Sequence, residues 1–265
     1  MTTTVRVLAD TVSPGGARLT TLLLRYPRFI HPELLTHRCF SRNSESSRAV
    51  NAVKRAKLAV YKPDCIGRDC TGMKSKADLT GVRLAVARFG WSVGVWGSRL
   101  SAWLMRRAGA HKQWANRPLD WCAYIEVIVT GDAKAWESFF VLRCHEDAQP
   151  EMQELAHMAH MAVAHTTPAI GALHVPYDIG TAYSVADRLK ASAGYCTGIS
   201  YLSHGKASVD SAIALADKML AADPPHWSPF EHQAYAVGAY AQAYANFTGW
   251  LSYRHSLQQV ARCST

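Results

Sequence analysis

The run Ala123-Tyr124-Ile125-Glu126-Val127-Ile128-Val129-Thr130 is β-branched and alternating. It predicts a half-buried strand. Two residues later Asp132 stands where a helix N-cap is needed, and a helix is expected through Leu142. Both periodicities recur along the chain, which gives the fold class α+β: an antiparallel sheet flanked by helices.

Upstream, residues 5–12 and 18–24 are β-rich runs around Ser13-Pro14-Gly15-Gly16, the pattern of a hairpin. Pro32 suits the first turn of a helix over 33–40. Residues 41–48 are too rich in Ser and Asn for a helix interior, so a loop or helix entry is expected. A short basic helix over 49–61 and a loop over 61–76 follow. Residues 78–108 have helical periodicity, with Leu84, Phe89, Trp91, Val95, Trp96, Leu100, Trp103 and Leu104. The apolar part, 84–105, carries Arg88, Arg99 and several glycines, which argues for a buried helix and against a membrane span. Downstream, helices are expected over 150–165, over most of 181–200, from a Ser208 cap to 222, and over 250–260. Residues 235–247 read as strand then turn. No repeat, low-complexity tract or linker divides the sequence, and one domain over 1–265 is expected.

The chain has 265 residues, 49% hydrophobic and 18% charged, a globular composition that excludes disorder. Its formal charge of +9 favours anionic partners: phosphates, nucleotides, nucleic acid or a membrane surface. The 7 Cys show no C-x-x-C spacing, so neither a disulfide framework nor a zinc site is suggested. The start lacks the order of a signal peptide, and a cytoplasmic location is expected.

Three segments carry candidate chemistry. The first is His37-Arg38-Cys39-Phe40-Ser41-Arg42-Asn43-Ser44-Glu45-Ser46-Ser47-Arg48. Its arginines and hydroxyls suit a phosphate or a heterocycle edge, although a solvated loop explains its composition as well. The second runs from Phe140 to Gln149. Arg143, directly behind an apolar helix face, is either a structural ion-pair partner or a guanidinium aimed into a pocket. The third is His226-Trp227-Ser228-Pro229-Phe230-Glu231-His232. A capping box with Ser228 as N-cap and Glu231 three residues on explains Ser, Pro and Glu, but not the two flanking histidines. His157, His160 and His165 read as a polar helix face rather than a metal site.

Taken together, the three segments resemble the flavin-dependent thymidylate synthase family, ThyX. The family signature is Arg-His-Arg, then Ser, Asn-Glu, Ser and Arg-Tyr. His37, Arg38, Ser41, Asn43, Ser46 and Arg48 fall on it in register. The family's Thr/Ser-Pro-Phe-Glu-His turn matches Ser228 to His232, preceded by His226. Its late Asn-Leu-Arg segment, ending in Ala-Gln, matches Val141-Leu142-Arg143 and Ala148-Gln149, with Val in place of the Asn. A weaker match joins Thr197-Gly198-Ile199-Ser200-Tyr201 to the family's Ala-Arg-Val-Ser. The turn precedes the signature in most of the family but follows it here. The chain therefore resembles a circularly permuted, bacteriophage-type branch, an arrangement tolerated where termini lie close together. Thr36, Ser44 and Ala49 depart from the signature, at its first Arg, its Glu and its Tyr.

The resemblance implies a dUMP methylase that makes dTMP. Methylenetetrahydrofolate is the carbon donor, and NADPH reduces FAD, which supplies the hydride. It implies Arg143 as the catalytic cation. It implies a nucleotide site of Ser44, Ser46, Ser47, Arg48, Asn116 and Arg117. It implies flavin contacts from His37, Arg38, Ser41, Asn43, Asp132, Ser138, His226, Ser228 and Glu231, shared across a homo-oligomer, a tetramer in the family. Arg254 is a candidate replacement for the missing signature Arg. The positive charge would then lie in a cleft that concentrates anions. The alternatives are a dCMP-directed methylase, a nucleotide hydroxymethylase, a relative that binds nucleotide without catalysis, and a basic nucleic-acid-binding protein. Against the last, no helix-turn-helix, RNA-binding or zinc-finger pattern is present.

Overall fold

The computed structural model describes residues 3–72, 74–201, 207–238 and 243–263. The first sequence elements form the predicted hairpin, β1 (Thr4–Val12) and β2 (Arg18–Pro27). Its turn closes by Ser13 N–H donating to the Ala17 carbonyl at 2.8 Å, with Gly16 at φ +87°. A β-carbon disfavours that backbone conformation, and glycine has none.

After α1 (His31–Leu35) comes β3 (Ser41–Ser44), then α2 (Ala52–Ala56), α3 (Gly81–Arg107) and α4 (Lys112–Ala115). The alternating β-branched run is β4 (Tyr124–Asp132). It leads directly into α5 (Ala133–Arg143), capped as expected by Asp132 Oδ1, which accepts from Ala135 N at 2.9 Å. Then follow α6 (Pro150–His165), β5 (Ala169–Ile170), β6 (Leu173–His174), α7 (Val185–Thr197) and α8 (Val209–Leu220). The chain closes with β7 (Ala234–Ala236), β8 (Ala243–Tyr244), β9 (Phe247–Thr248), β10 (Trp250–Ser252) and α9 (Tyr253–Cys263).

The main sheet has the order β3-β4-β2-β1-β5 and is antiparallel except for the β1–β5 pair. A second sheet, β10-β7-β6, is antiparallel. Side chains alternate across the main sheet. Leu22, Leu24 and Tyr26 of β2, with Ile125, Val127 and Val129 of β4, face the apolar sides of α5 and α6. The opposite face carries Leu8, Leu23 and Ile128 against Cys196 and Ile199. There Leu19 meets Phe247 and Trp250. α7 and α8 cross at Gly194, where a β-carbon would fall 1.9 Å from the Ala212 carbonyl oxygen. Both helices can approach this closely only without a side chain there.

Several sequence expectations need correction. Residues 41–44 are an edge strand rather than a loop: Ser41 pairs with Thr130 and Asn43 with Ile128 on β4. Ladder partners on β4 outweigh the weak intrinsic preference of Ser and Asn. The helix expected over 33–40 ends at Leu35, where Arg42 Nη1 donates to the carbonyls of Leu34, Leu35 and His37 at 2.9–3.2 Å. The basic helix over 49–61 shrinks to 52–56. The segment 250–260 starts as strand β10 and becomes helix only at Tyr253. Part of the 235–247 segment, residues 239–242, lies outside the described residues. The largest correction concerns α3, which is not buried. Only Val95 and Ala102 are enclosed, and most of its large apolar side chains face outward. Among the described residues no helix is long and apolar enough to cross a membrane.

Candidate active site

The first candidate segment, residues 37–48, touches both of the others, through His37 and through Asn43 on the edge strand β3. Asn43, buried, donates from Nδ2 to the Cys196 carbonyl at 2.8 Å. Its Oδ1 faces the Ser228 hydroxyl at 3.5 Å. Residues 228–231 form a single 3-10 turn with Pro229 and Phe230 buried. The capping box does not form, because the turn has no side-chain cap. Glu231 instead pairs with Arg254, whose guanidinium lies 5.8 Å from the centre of the Trp227 ring. Asn246 Nδ2 reaches the Ser41 hydroxyl at 3.3 Å. Ser41, Glu231, Asn246, Arg254 and His255 line a polar cleft of about 290 Å³.

On the other side of the same segment sits Arg143, the last residue of α5. Its Nε donates to His37 Nε2 at 3.0 Å and its Nη1 to Glu33 Oε2 at 2.9 Å. Its Nη2 donates to the Glu33 carbonyl at 3.3 Å and to the Thr36 hydroxyl at 3.1 Å. Four of five guanidinium N–H groups are engaged among the described residues, leaving one Nη1 proton. Burial, then the Arg143 and Arg42 cations, push the His37 imidazole down to about 4. His37 is therefore neutral near pH 7, with Nε2 as acceptor and the proton on Nδ1. Beyond Arg143 opens a groove of about 1390 Å³, walled by Phe29, Tyr61, Trp91, Trp121 and Tyr124. Six carboxylates line it against four cations, so the excess positive charge of the chain does not reside there.

The proposed nucleotide segment lies just past β3. Asn116, fully enclosed, donates from Nδ2 to the carbonyls of Ser47 and Val50 at 2.7 and 3.0 Å and so fixes the backbone turn over 46–50. The buried Ser47 hydroxyl donates to Asp120 at 3.3 Å. Ser44 and Ser46 are half-buried, and Arg48 projects outward. Arg117 is exposed and pairs with Asp120 at 3.3 Å.

Other expected residues stand apart. Both Asp132 oxygens are occupied, one by the α5 cap and the other by Thr248 N–H at 3.0 Å. Ser138 lies exposed on α5; Arg38 and His226 are partly or fully open to solvent as well.

Three features were not singled out in the sequence. Glu33 carries the ion pair to Arg143, and the only hint was an acidic residue in the first turn behind Pro32. Glu45 is buried and paired with Arg55, which also reaches Asp120 at 3.1 Å. Neither stands out in a Ser-rich run and a short basic helix. Lastly, a buried polar chain runs beneath the 228–231 turn. Thr11 bonds His174 Nδ1 at 2.9 Å, and His174 Nε2 bonds Thr21 at 2.8 Å. Thr21 bonds Thr130 at 2.7 Å, and Thr130 bonds His232 Nδ1 at 2.9 Å. This accounts for His232, the second of the two flanking histidines.

An antiparallel sheet with helices on both faces, and an Arg–His pair beside an edge strand, defines an α+β protein whose site lies at a sheet edge. The chain matches the family described as thymidylate synthase complementing protein over residues 16–169, and it belongs to that family, the flavin-dependent thymidylate synthases (ThyX). Among solved structures it shares its fold with the UMP/dUMP methylase PolB from Streptomyces cacaoi bound with 5-Br UMP. That match has a TM-score of 0.53 and 19% identity and covers 61% of this chain and 88% of that one. The same enzyme bound with 5-Br dUMP aligns with a TM-score of 0.47 and 23% identity, over 56% and 67% of the two chains. No curated protein sequence matches this chain.

Proposed function

We propose that the chain methylates the C5 carbon of a pyrimidine nucleotide, converting dUMP to dTMP with methylenetetrahydrofolate as carbon donor and NADPH as reductant of FAD. The observation that carries this reading is the Arg143–His37 hydrogen bond, which joins two family motifs 106 residues apart. The Ser228–Asn43 contact brings in the third motif. That motif lies beyond residue 169, where the family match ends. This supports one domain with a permuted segment order. The fold shared with a UMP/dUMP methylase supports a uridine nucleotide as substrate.

In this reading Arg143 aims its remaining N–H at the pyrimidine and stabilises negative charge that develops there as C5 attacks. His37, neutral, holds the guanidinium in place without adding charge of its own. Arg48, exposed and close in sequence to the half-buried Ser46, takes the nucleotide phosphate through charge-assisted bonds, while Ser47, buried on Asp120, steadies the same turn. Ser44 and Arg117 flank it, and Asn116 fixes the turn that presents it.

The polar cleft at Ser41 tests the fit of a flavin nucleotide. Arg254 offers a cation for a pyrophosphate, Glu231 an acceptor for sugar hydroxyls, and Ser41 a hydroxyl of its lining; Asn43, Ser228 and His226, outside that lining, are assigned to the flavin by the family resemblance alone. At about 290 Å³ the cleft is at the lower end of the ~300–1,000 Å³ of small-molecule sites. It holds part of a dinucleotide, so the rest, with Arg38 and Ser138, lies against a neighbouring subunit of a homo-oligomer. When bound, reduced FAD supplies the hydride. Asp132 contributes by holding the 248 backbone beside that cleft.

The test is a flavin absorbance band in the purified protein, followed by mass spectrometry of products from dUMP, UMP and dCMP with folate donor and NADPH. Methylated dUMP is expected. A hydroxymethyl product or dCMP turnover would redirect the reading, and a flavin-free protein with salt-dependent DNA binding would replace it.

A further inference from the structure

The charge of the chain is not spread evenly. Residues 52–117, the segment that contains α3, hold 14 Lys and Arg against three Asp, whereas the rest of the chain holds 15 against 17 Asp and Glu. The whole positive excess therefore lies in this one segment. α3 itself carries five arginines and no acidic residue.

The outward face of the same helix carries a long apolar seam. Val82, Val86, Phe89, Val93, Trp96, Leu100 and Trp103 follow one another at alternating steps of four and three residues, a mean of 3.5. Each is between 44% and 80% exposed. That spacing keeps them within an arc of about 100° on one side of the helix. The opposite side docks on the rest of the chain. There Trp91 packs edge-on against Trp121 with centroids 4.9 Å apart and donates to the Tyr61 carbonyl at 3.0 Å.

The arginines border the seam. Arg83 falls about 100° to one side of it, and Arg88, Arg99 and Arg106 about 100–120° to the other. Arg107, at the end of the seam, folds back over the Trp103 ring at 5.3 Å. Arg88 donates to the Asp64 carbonyl, a neutral acceptor that leaves its charge in place. An apolar strip edged on both sides by cations is the cross-section of a helix that lies in the plane of a membrane surface. Its apolar side chains enter the headgroup–acyl boundary, and long basic side chains reach back to the phosphates.

We propose that α3 docks on an anionic lipid bilayer, lying along its surface with the seam turned into it. The helix is not apolar enough to cross a membrane, and lying on one needs only a one-sided apolar face. Trp96 and Trp103 then sit at the headgroup level, where tryptophan is favoured. A nucleic acid would satisfy the arginines but offers no hydrocarbon to the seam, since protein–DNA interfaces are polar as well as basic. A second α3 would offer hydrocarbon but brings five more arginines and no carboxylate. An anionic bilayer supplies both complements.

The purified full chain should sediment with vesicles of phosphatidylcholine and phosphatidylserine. Binding to phosphatidylcholine alone should be at least ~10-fold weaker, because each arginine near an anionic surface contributes a factor of about 5. Arg83→Gln with Arg107→Gln should weaken binding to the anionic vesicles by about 25-fold. Val93→Glu with Trp96→Glu should abolish it with an unchanged circular dichroism spectrum. Lipids brominated on their acyl chains should quench tryptophan fluorescence, and less so in Trp96→Phe. A chain that does not bind anionic vesicles overturns the proposal, as does equal binding to both lipids or undiminished binding in the double-glutamate variant. If that variant does not fold, the lipid comparison, the arginine variant and the quenching still decide. Binding to duplex DNA but not to vesicles would assign the arginines to nucleic acid. A chain that ignores vesicles and whose assembly mass falls in the double-glutamate variant would assign the seam to another copy. Either result overturns the proposal.

Discussion

Arg143 Nε lies 3.0 Å from His37 Nε2, and this bond requires the imidazole to stay neutral. A protonated ring would present a second donor to a guanidinium that has only donors. Burial and two neighbouring arginines keep His37 neutral down to about pH 4. The pair therefore remains intact over the range in which an ordinary histidine titrates, and Arg143 stays oriented by a neutral partner and by the Glu33 carboxylate.

Arg143→Ala should lower turnover by about 10²–10³-fold, the cost of losing one donor to developing charge, with flavin content unchanged. Arg143→Lys should restore little, because an ammonium cannot reproduce the fork that grips His37, Glu33 and Thr36. Single-turnover rates beside flavin absorbance measure both, and near wild-type rates in the alanine variant would refute the assignment.

The buried Arg55–Glu45 pair gives a stability prediction. Arg55→Ala leaves the Glu45 carboxylate enclosed and unpaired, and should cost about 3–5 kcal/mol. Replacing both partners together, Arg55→Met with Glu45→Leu, should recover most of that loss. Urea denaturation of the two variants checks it; equal destabilisation in both would show that the pair does not act as a unit.

Acid sensitivity follows from His174 and His232. Burial lowers both to about 3, and a like-charge effect from His232 adds to the shift of His174. Unfolded imidazoles titrate near ~6.5. Between these values the unfolded chain binds protons that the folded chain refuses, so stability rises with pH across this window and falls as pH drops below about 6.5. The two histidines alone contribute nearly two protons taken up on unfolding at about pH 5. His174→Gln should flatten the slope of unfolding free energy against pH by about one proton; an unchanged slope would contradict the neutral buried state.

Arg254→Ala removes the cation from the Ser41 cleft and leaves Glu231 without its partner. Flavin content after purification should fall several-fold, while Arg117→Ala, on the exposed nucleotide side, should leave it unchanged. Full flavin occupancy in the Arg254 variant would discard the replacement role.

Much of the scaffold was legible because local chemistry determined it. The hairpin closed at Gly16, the Asp132 cap started α5 where expected, and α6 ran from Pro150 to His165 as the sequence indicated. In each case the signal, a turn residue, a cap or a proline, acts within a few residues of itself. Nothing local marks segment 41–44 as a strand, and its Ser and Asn suit a loop or helix entry; only the free edge of β4 gives it ladder partners.

The sequence by itself determined the residue types at the site and the spacing of the motifs that carry them, since these are covalent facts. It also contained the 3.5-residue repeat of α3, but periodicity records that a helix has an apolar face and not which neighbour covers it. Tertiary structure decided three things. It brought Arg143 to His37 and Ser228 to Asn43, gave Glu33 and Glu45 their partners, and turned the α3 seam outward. Each depends on the distance between residues far apart in the chain, which packing of the whole sheet and its helices sets and no local preference can specify.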